Sequence, residues 1–549
     1  MSRPTAAAGA ALPLRVDVAI AGAGAAGLFA ALCAARAGAS AALVSATPLA
    51  QTASYWAQGG LAAALGPDDS FELHLLDTER AGRGAVRRAA AEALVREAPA
   101  RVRDLQELGV RFDTDRHGRF VLALEGGHSV RRVVHAGGSA TGRRVVRALS
   151  ALVAEEPRIA VLEGDRARAS GLLSRDGRCV GVRCADGRDV LARATLLATG
   201  GAAALWARTT NPPGSLGAGL LLARLAGATL ADLELMQFHP TAVIGVPGRE
   251  GFLVTEAIRG EGATLHDACG ERFVDELAPR DEVSRAIQLR MRQTGSRSVG
   301  LDMRAIDPAR FPNVVGALRE AGLDPARELV PVAPAAHYMV GGVLTDLRGR
   351  TTLPGLYALG EASCTGLHGA NRLASNSLSE CFVFGRRAAL SALDEPAHEA
   401  GRAAPGRPEL TPPLPAVEPS TRGALWRHAG IERSATGLRE LLEDPHPLAR
   451  LIARCALMRE ESRGVHHRTE FPAPDPALDR HHLVVAPPER GAAIAWEEWA
   501  PGAGPGAAGA PGSAGSSDAA GSSDPAESSG PAGSRDSAVS SGPAVPSGS

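Results

Sequence analysis

A chain of 549 residues that is 45% hydrophobic and carries a formal net charge of −1 has enough apolar material for two or three buried cores. It shows no basic block of the kind that tracks a phosphate backbone, so nucleic acid is not an expected partner. All of its positive charge is arginine, and the absence of lysine excludes Schiff-base chemistry on a lysine amine. Seven cysteines without a CxxC pair point to a reducing cytoplasm and to no metal site. The opening residues do not read as a signal peptide, and no stretch of about 20 apolar residues predicts a membrane span.

In chain order, Leu14 to Ile20 alternates as a strand and ends in Gly22-Ala23-Gly24-Ala25-Ala26-Gly27; alanine-rich Leu28 to Arg36 follows as a helix and Ala41 to Val44 as a second strand. This is a βαβ opening. Leu191 to Thr199, ending in Gly200-Gly201, and Gly355 to Leu359, ending in Gly360-Glu361, read as further buried strands of the same sheet. The expected fold is therefore α/β: a Rossmann-like nucleotide-binding domain (12–230 and 339–395) interrupted by an α+β capping domain (231–338). A Pro-rich linker (396–420), a helical C-terminal domain (421–495) whose stretch Thr421 to Gly464 reads as helices with arginine-rich exposed faces, and a disordered Gly/Ala/Pro/Ser tail (496–549) complete it.

The spacing GxGxxG, with Gly22, Gly24 and Gly27 around Ala25 and Ala26, lets backbone approach a pyrophosphate at a helix start. An acidic ribose contact is expected about 20 residues on, but Val44-Ser45-Ala46 stands there. FAD suits the chain better than NAD, because Ala198-Thr199-Gly200-Gly201 and Gly360-Glu361 read as further contacts along one long cofactor.

Four stretches each set one His or Arg among small or turn-forming residues: Gln237 to Thr241 with His239, Leu277 to Asp281 with Arg280, Pro334 to Tyr338 with His337, and His368 to Leu373 with Arg372. One such histidine is more often a satisfied structural group, and one such arginine a solvated charge. Four together predict a pocket for a small dicarboxylate, whose oxygens match the paired donors of a guanidinium.

With "GAGAAG", "QGGLAA", "QFHPT", "TEAIRGEGA", "ELAPRDEVSRAI", "PAAHYMVGGV" and "LGEASCTGLHGANRLASNSLSE" in this order, the chain resembles the flavoprotein family of succinate dehydrogenase, fumarate reductase and L-aspartate oxidase. The resemblance covers residues 14 to 395 and returns at 454 to 464. It implies that His239, His337 and Arg372 hold carboxylates, that Thr255 adds a hydrogen bond to the substrate, and that Arg280 transfers a proton through a relay of Glu256 and Arg259; an ordinary helix ion pair is the other reading of the last two. It also implies cofactor contacts from Ser45, Ser54, Gln58, Gly59, Gly60, Glu361, Ser377 and Leu378. Members that bind FAD covalently use a histidine five residues before the Gln of "AQGG"; here that position is Ala53, so the FAD is expected to be non-covalent.

Glu125, in "LEGGHS", decides between branches of the family. A carboxylate has the wrong sign to receive a dicarboxylate and the right sign for an α-ammonium; the competing reading pairs it with Arg131 or Arg132 in its own loop. The resemblance then implies oxidation of L-aspartate to iminosuccinate, reoxidation by O2 or by fumarate, and a product passed to quinolinate synthase in NAD biosynthesis. The alternative is a soluble fumarate reductase or succinate dehydrogenase flavoprotein subunit. Departures from the family pattern at Ala218, Ser139 and Ser45 predict weakened FAD contacts.

Overall fold

The computed structural model describes residues 12–48, 52–396, 408–491 and 493–499. Strand β1 (Leu14–Ala21), helix α1 (Ala25–Arg36) and strand β2 (Ala41–Ser45) form the predicted opening unit. β1 pairs in parallel with β2 and with β3 (Asp189–Leu197). Both faces of this sheet are covered: Val18 and Ile20 pack in one core and Ala19 and Ala21 in the other, so β1 alternates in its first half and is buried on both faces in its second. α1 is buried along nearly its whole length, and its alanines allow it to lie close to the helix Asn376–Ala392, against which Phe29 meets Phe382 edge to face at 5.2 Å.

The segment between the two halves of this domain folds around its own core. β4 (Met236–Val243) pairs antiparallel with β5 (Val330–Met339), and Val299–Asp302 and Thr264–His266 complete a four-stranded sheet. Val254, Ile258, Val283, Ile287, Leu301 and Val332 share the cluster beneath it, supplied in part by the short helix α2 (Ala257–Gly260) and by α3 (Arg280–Thr294). The chain then returns to the first sheet through β6 (Leu356–Ala358), parallel to β3, and α4 (Asn376–Ala392).

The C-terminal region carries the expected helices, Pro419–His428, Ala435–Glu440 and Pro447–Met458, with three corrections. Arg427, Arg439 and Arg454 are exposed, but Arg433, Arg459 and Arg468 are buried. Arg459 is held by Glu234 at 2.7 Å and Glu461 at 2.8 Å, and such partners are what allow a guanidinium to be buried. Second, the stretch read as helical to 495 ends in strands: His481–Val485 pairs with Leu230–Ala231, and Ile494–Glu498 pairs with His481–Val485. Third, the tail does not start at 496, because Trp499 is buried and stacks on His482 with ring centroids 3.5 Å apart. Within the stretch read as a linker, Glu409–Leu410 adds an edge strand beside Ala169–Arg175; residues 397–407 of that linker and 500–549 of the tail lie outside the described residues. Among the described residues no helix is long and apolar enough to cross a membrane.

Candidate functional site

The turn from β1 into α1 is built by contacts that admit no side chain. A Cβ on Gly22 would lie 2.2 Å from the Ala198 carbonyl oxygen, and one on Gly27 2.0 Å from that of Gly22. Gly24 stands before the helix start, where the Ala25 N–H donates to Ser54 Oγ at 3.1 Å. Around this turn, Thr52 Oγ1, Gln58 Oε1, Ser139 Oγ and Thr199 Oγ1 are buried without a partner, as expected of segments that close on a polar cofactor. Gln58 Nε2 donates to the Leu253 carbonyl at 2.6 Å and ties this loop to the inserted domain. Gly59 and Gly60 continue it, and the Gly60 N–H donates to Ser375 Oγ at 3.2 Å. Ser45 spends its hydroxyl on the Thr47 carbonyl at 2.7 Å.

At the other end of the groove, Gly201 leaves room for Glu361, whose Oε1 accepts the Met339 N–H at 3.0 Å. Burial pushes the Glu361 carboxyl up to about 7. Ser377 accepts from Arg372 at 3.2 Å, and buried Leu378 follows it in the first turn of α4. These residues fit FAD: an anion site at a helix N-terminus, a glycine loop and unpaired buried polar atoms along one path. Ala53 offers no nucleophile to the cofactor, and Ala218 and Ser139 supply no carboxylate.

The residues expected to hold a dicarboxylate come together around the inserted domain. His239 on β4 and His337 on β5 have rings 5.0 Å apart. His337 Nδ1 shares a hydrogen bond of 2.7 Å with Thr210 Oγ1. Burial, with the nearby Arg280 and Arg372 charges, holds both imidazoles well below the ordinary histidine range, so they act as neutral hydrogen-bonding groups. Gln237, inside "QFHPT" but not singled out by the sequence reading, joins the two arginines: its Oε1 accepts from Arg280 at 3.2 Å and from Arg372 at 3.0 Å. Its amide nitrogen donates to Asn371 and to the Arg372 carbonyl, each at 2.8 Å. Arg372 also lies over the Tyr338 ring, 4.6 Å from its centroid, and burial lowers its guanidinium to about 10.

Arg280 is the first residue of α3, and its Nε donates to Glu256 Oε2 at 2.6 Å. The other Glu256 oxygen accepts from Arg259 at 2.8 Å, and Arg259 in turn donates to the Glu276 carbonyl. The pair three apart on α2 is thus one link of a buried line rather than an isolated ion pair. Thr255 is buried just before Glu256.

Glu125 is 2% exposed and reaches this same region. A Cβ on Gly126 would lie 2.3 Å from Glu256 Oε1 and 3.1 Å from the Ala278 carbonyl oxygen, so a side chain there would displace the bonded Glu256 carboxylate. Burial alone would raise the Glu125 carboxyl, but His135, Ser375 and the Arg280 charge outweigh it and hold the group at about 2. Ser375 Oγ donates to Oε2 at 2.6 Å. Oε1 has no hydrogen-bond partner and faces His135 Nε2 across 3.6 Å. The competing reading of Glu125 does not hold: Arg131 pairs with Glu261 at 3.4 Å, and Arg132 with Asp69 at 2.9 Å and Asp77 at 2.6 Å. Ser375, His135 and Thr210 were missed together with Gln237. His135 carried a usable signal, since "VVHAGG" sets a histidine beside small residues as the other four stretches do.

A glycine-built dinucleotide cradle set against a buried cluster of arginines and neutral histidines defines a flavin-dependent oxidoreductase of small dicarboxylates. The chain belongs to the family of the FAD binding domain, whose model matches residues 17–378, and FAD is the cofactor of that domain. Residues 442–499 match the model of the fumarate reductase flavoprotein C-terminus. An L-aspartate oxidase of Caulobacter vibrioides is 47% identical over 509 residues, 87% of this chain and 98% of that protein. One of Agrobacterium fabrum is 46% identical over 461 residues, 79% and 87% of the two chains. The quinol fumarate reductase of E. coli is similar in structure with a TM-score of 0.77 at 28% identity, covering 88% of this chain and 96% of that one.

Proposed function

We propose that this protein oxidises L-aspartate to iminosuccinate. The observation that carries the reading is Glu125, a buried carboxylate held ionised beside a site otherwise built for two carboxylates. A third carboxylate at about 4 Å would repel each of the substrate's by about 4 kcal/mol at an effective dielectric near 20; an α-ammonium turns that cost into attraction.

Arg280 and Arg372, aligned by Gln237, and the neutral His239 and His337 hold the two carboxylates, and Thr255 adds a hydrogen bond. FAD, when bound, accepts the hydride and passes the electrons to O2, giving peroxide, or to fumarate. When fumarate is the acceptor, Arg280 delivers a proton to its carbon and is resupplied through Glu256 and Arg259; a guanidinium with a pKa above about 12 needs such a partner. The 3.2 and 3.0 Å contacts of Gln237 and the 2.6 Å contact of Glu256 support these assignments. A cytoplasmic location and delivery of the imine to quinolinate synthase, for NAD biosynthesis, belong to the same reading.

Anaerobic mixing with L-aspartate should bleach the flavin, and faster bleaching by succinate would put a fumarate reductase or succinate dehydrogenase activity first. The second reading has its own support in the Arg280, Arg372 and Gln237 group, which needs no ammonium. The same preparation, denatured by acid or heat, should release all its flavin, because Ala53 cannot form a covalent link; flavin fluorescence in the protein band of a denaturing gel would count against this.

A further inference from the structure

Removing a hydride from the carbon that bears nitrogen makes a C=N bond only if the nitrogen contributes a lone pair, and an ammonium has none. On the proposed aspartate oxidation, on which this inference rests, the bound substrate must therefore give up one N–H proton within the site.

Most of the basic groups near Glu125 are already committed. Both Glu256 oxygens accept from guanidiniums, at 2.6 and 2.8 Å, and a guanidinium has no acceptor. His239 and His337 are buried beside Arg280, which disfavours a further positive charge on either ring. His128 uses Nε2 on the Ala374 carbonyl at 2.9 Å and Nδ1 on Arg132 at 3.0 Å. His135 differs: it is buried, its carbonyl is fixed by the Asp113 N–H at 2.8 Å, and its Nε2 has no hydrogen-bond partner. That nitrogen faces the one unpartnered oxygen of Glu125 across 3.6 Å, too far for a direct hydrogen bond.

We propose that His135 receives the proton given up by the substrate ammonium, that Glu125 carries it between them, and that the hydride leaves from the α carbon. An N–H bond of the ammonium breaks as an O–H bond forms at Glu125 Oε1. That O–H breaks as an N–H bond forms at His135 Nε2 once substrate binding has drawn the two atoms from 3.6 Å into hydrogen-bond contact, and Glu125 is a carboxylate again. The freed lone pair becomes the second C=N bond as the α C–H electron pair departs as hydride to the acceptor already named. Glu125 thus faces the ammonium before the transfer and the imidazolium after it, and the substrate leaves the hydride step as an iminium. The other titratable groups around Glu125 are the guanidiniums of Arg280 from α3 and Arg259 from α2, and His128 from its own loop, whose imidazole burial and Arg132 hold below the ordinary histidine range. Among the described residues, Glu125 is the acid within ion-pair distance of His135. His135 acts through Glu125 and is a positioning residue for this proton.

The test compares wild type with His135→Gln and His135→Asn, following anaerobic flavin reduction by L-aspartate and, separately, fumarate reduction, from pH 6 to 9.5. The wild-type aspartate rate should break downward toward the acid end of this pH range, since an imidazolium cannot take up the proton. In the variants it should fall by about 10²–10³-fold at pH 7, lose that break and climb with pH as more substrate arrives with a neutral amine. Added imidazole should restore part of it, and the fall on fumarate should be at least tenfold smaller. An equal fall on both substrates, or an unchanged aspartate pH profile, overturns the proposal. A second measurement needs no variant: in wild type, deuterium at the α carbon of aspartate should slow flavin reduction, and an isotope effect from the β carbon alone overturns it. Wild type that does not react with aspartate at all would instead refute the proposed function.

Discussion

Two charged groups adjoin in this protein, and they are satisfied to different degrees. In the line from Arg280 through Glu256 to Arg259, both carboxylate oxygens are bonded, at 2.6 and 2.8 Å. In the corner made by Glu125 and His135, one carboxylate oxygen and the facing imidazole nitrogen are buried and unbonded. A buried polar atom without a partner costs about 1–3 kcal/mol. Both oxygens of Glu256 are therefore bonded before substrate arrives, although Arg259 Nε is buried without a partner, whereas Glu125 gains its missing bond only from a ligand that brings a donor. That difference separates what any dicarboxylate requires from what an amino-dicarboxylate adds.

The largest expected effect comes from breaking the completed line. On the proposed function, Arg280→Leu removes both a carboxylate contact and the proton carrier, and turnover with aspartate and with fumarate should each fall by about 10²–10⁴-fold; a variant that loses only aspartate oxidation would place Arg280 in the wrong group. Glu125→Gln should split the two activities. A charge-assisted hydrogen bond contributes about 1.5–3 kcal/mol, so kcat/KM for aspartate should fall by one to two orders of magnitude while fumarate reduction is unchanged or improved. An equal loss on both substrates would leave Glu125 a support for its loop.

Gln237→Leu bears on the frame common to both. Without its amide oxygen, Arg280 and Arg372 lose the acceptor that aligns them, and KM for aspartate and for fumarate should rise together by about tenfold, the effect of about 1.4 kcal/mol. A selective rise for one substrate would tie Gln237 to that substrate's own chemistry.

The smallest effect is on stability and contrasts two buried acids. Glu125 is held down at about 2 against an ordinary 4.5, so its contribution is present above pH 4.5 and lost as pH falls toward 2. Glu361 is raised to about 7, so the folded state keeps its proton longer than the unfolded chain does, and stability falls as pH rises from 4.5 through 7. Thermal melting of the FAD-free protein at pH 5 and pH 8 should show a smaller difference in Glu361→Gln than in wild type. An identical difference would mean that the Glu361 carboxyl titrates in its ordinary range.

The βαβ opening, the interruption of the sheet by a second core, and the residue types that could bear the chemistry were legible in the sequence alone. Glycine spacing and apolar runs are local properties, and a guanidinium or imidazole brings the same donors wherever it is placed. Partnership was decided by the tertiary structure. Gln237 bonds to Arg372 across 135 positions and Glu125 to Ser375 across 250, and nothing local to either member shows which distant segment will face it. The same holds for the arginines of the C-terminal region, which read as exposed because a guanidinium is costly to bury. Arg459 is buried because the fold brings Glu234 to it from 225 positions away. Arg132 reads from its own loop as a candidate partner of Glu125 because Asp69 and Asp77, which hold it, sit 63 and 55 positions earlier. A side chain's chemistry is carried by its own atoms, whereas its charge state and its free valences belong to the groups the fold packs around it.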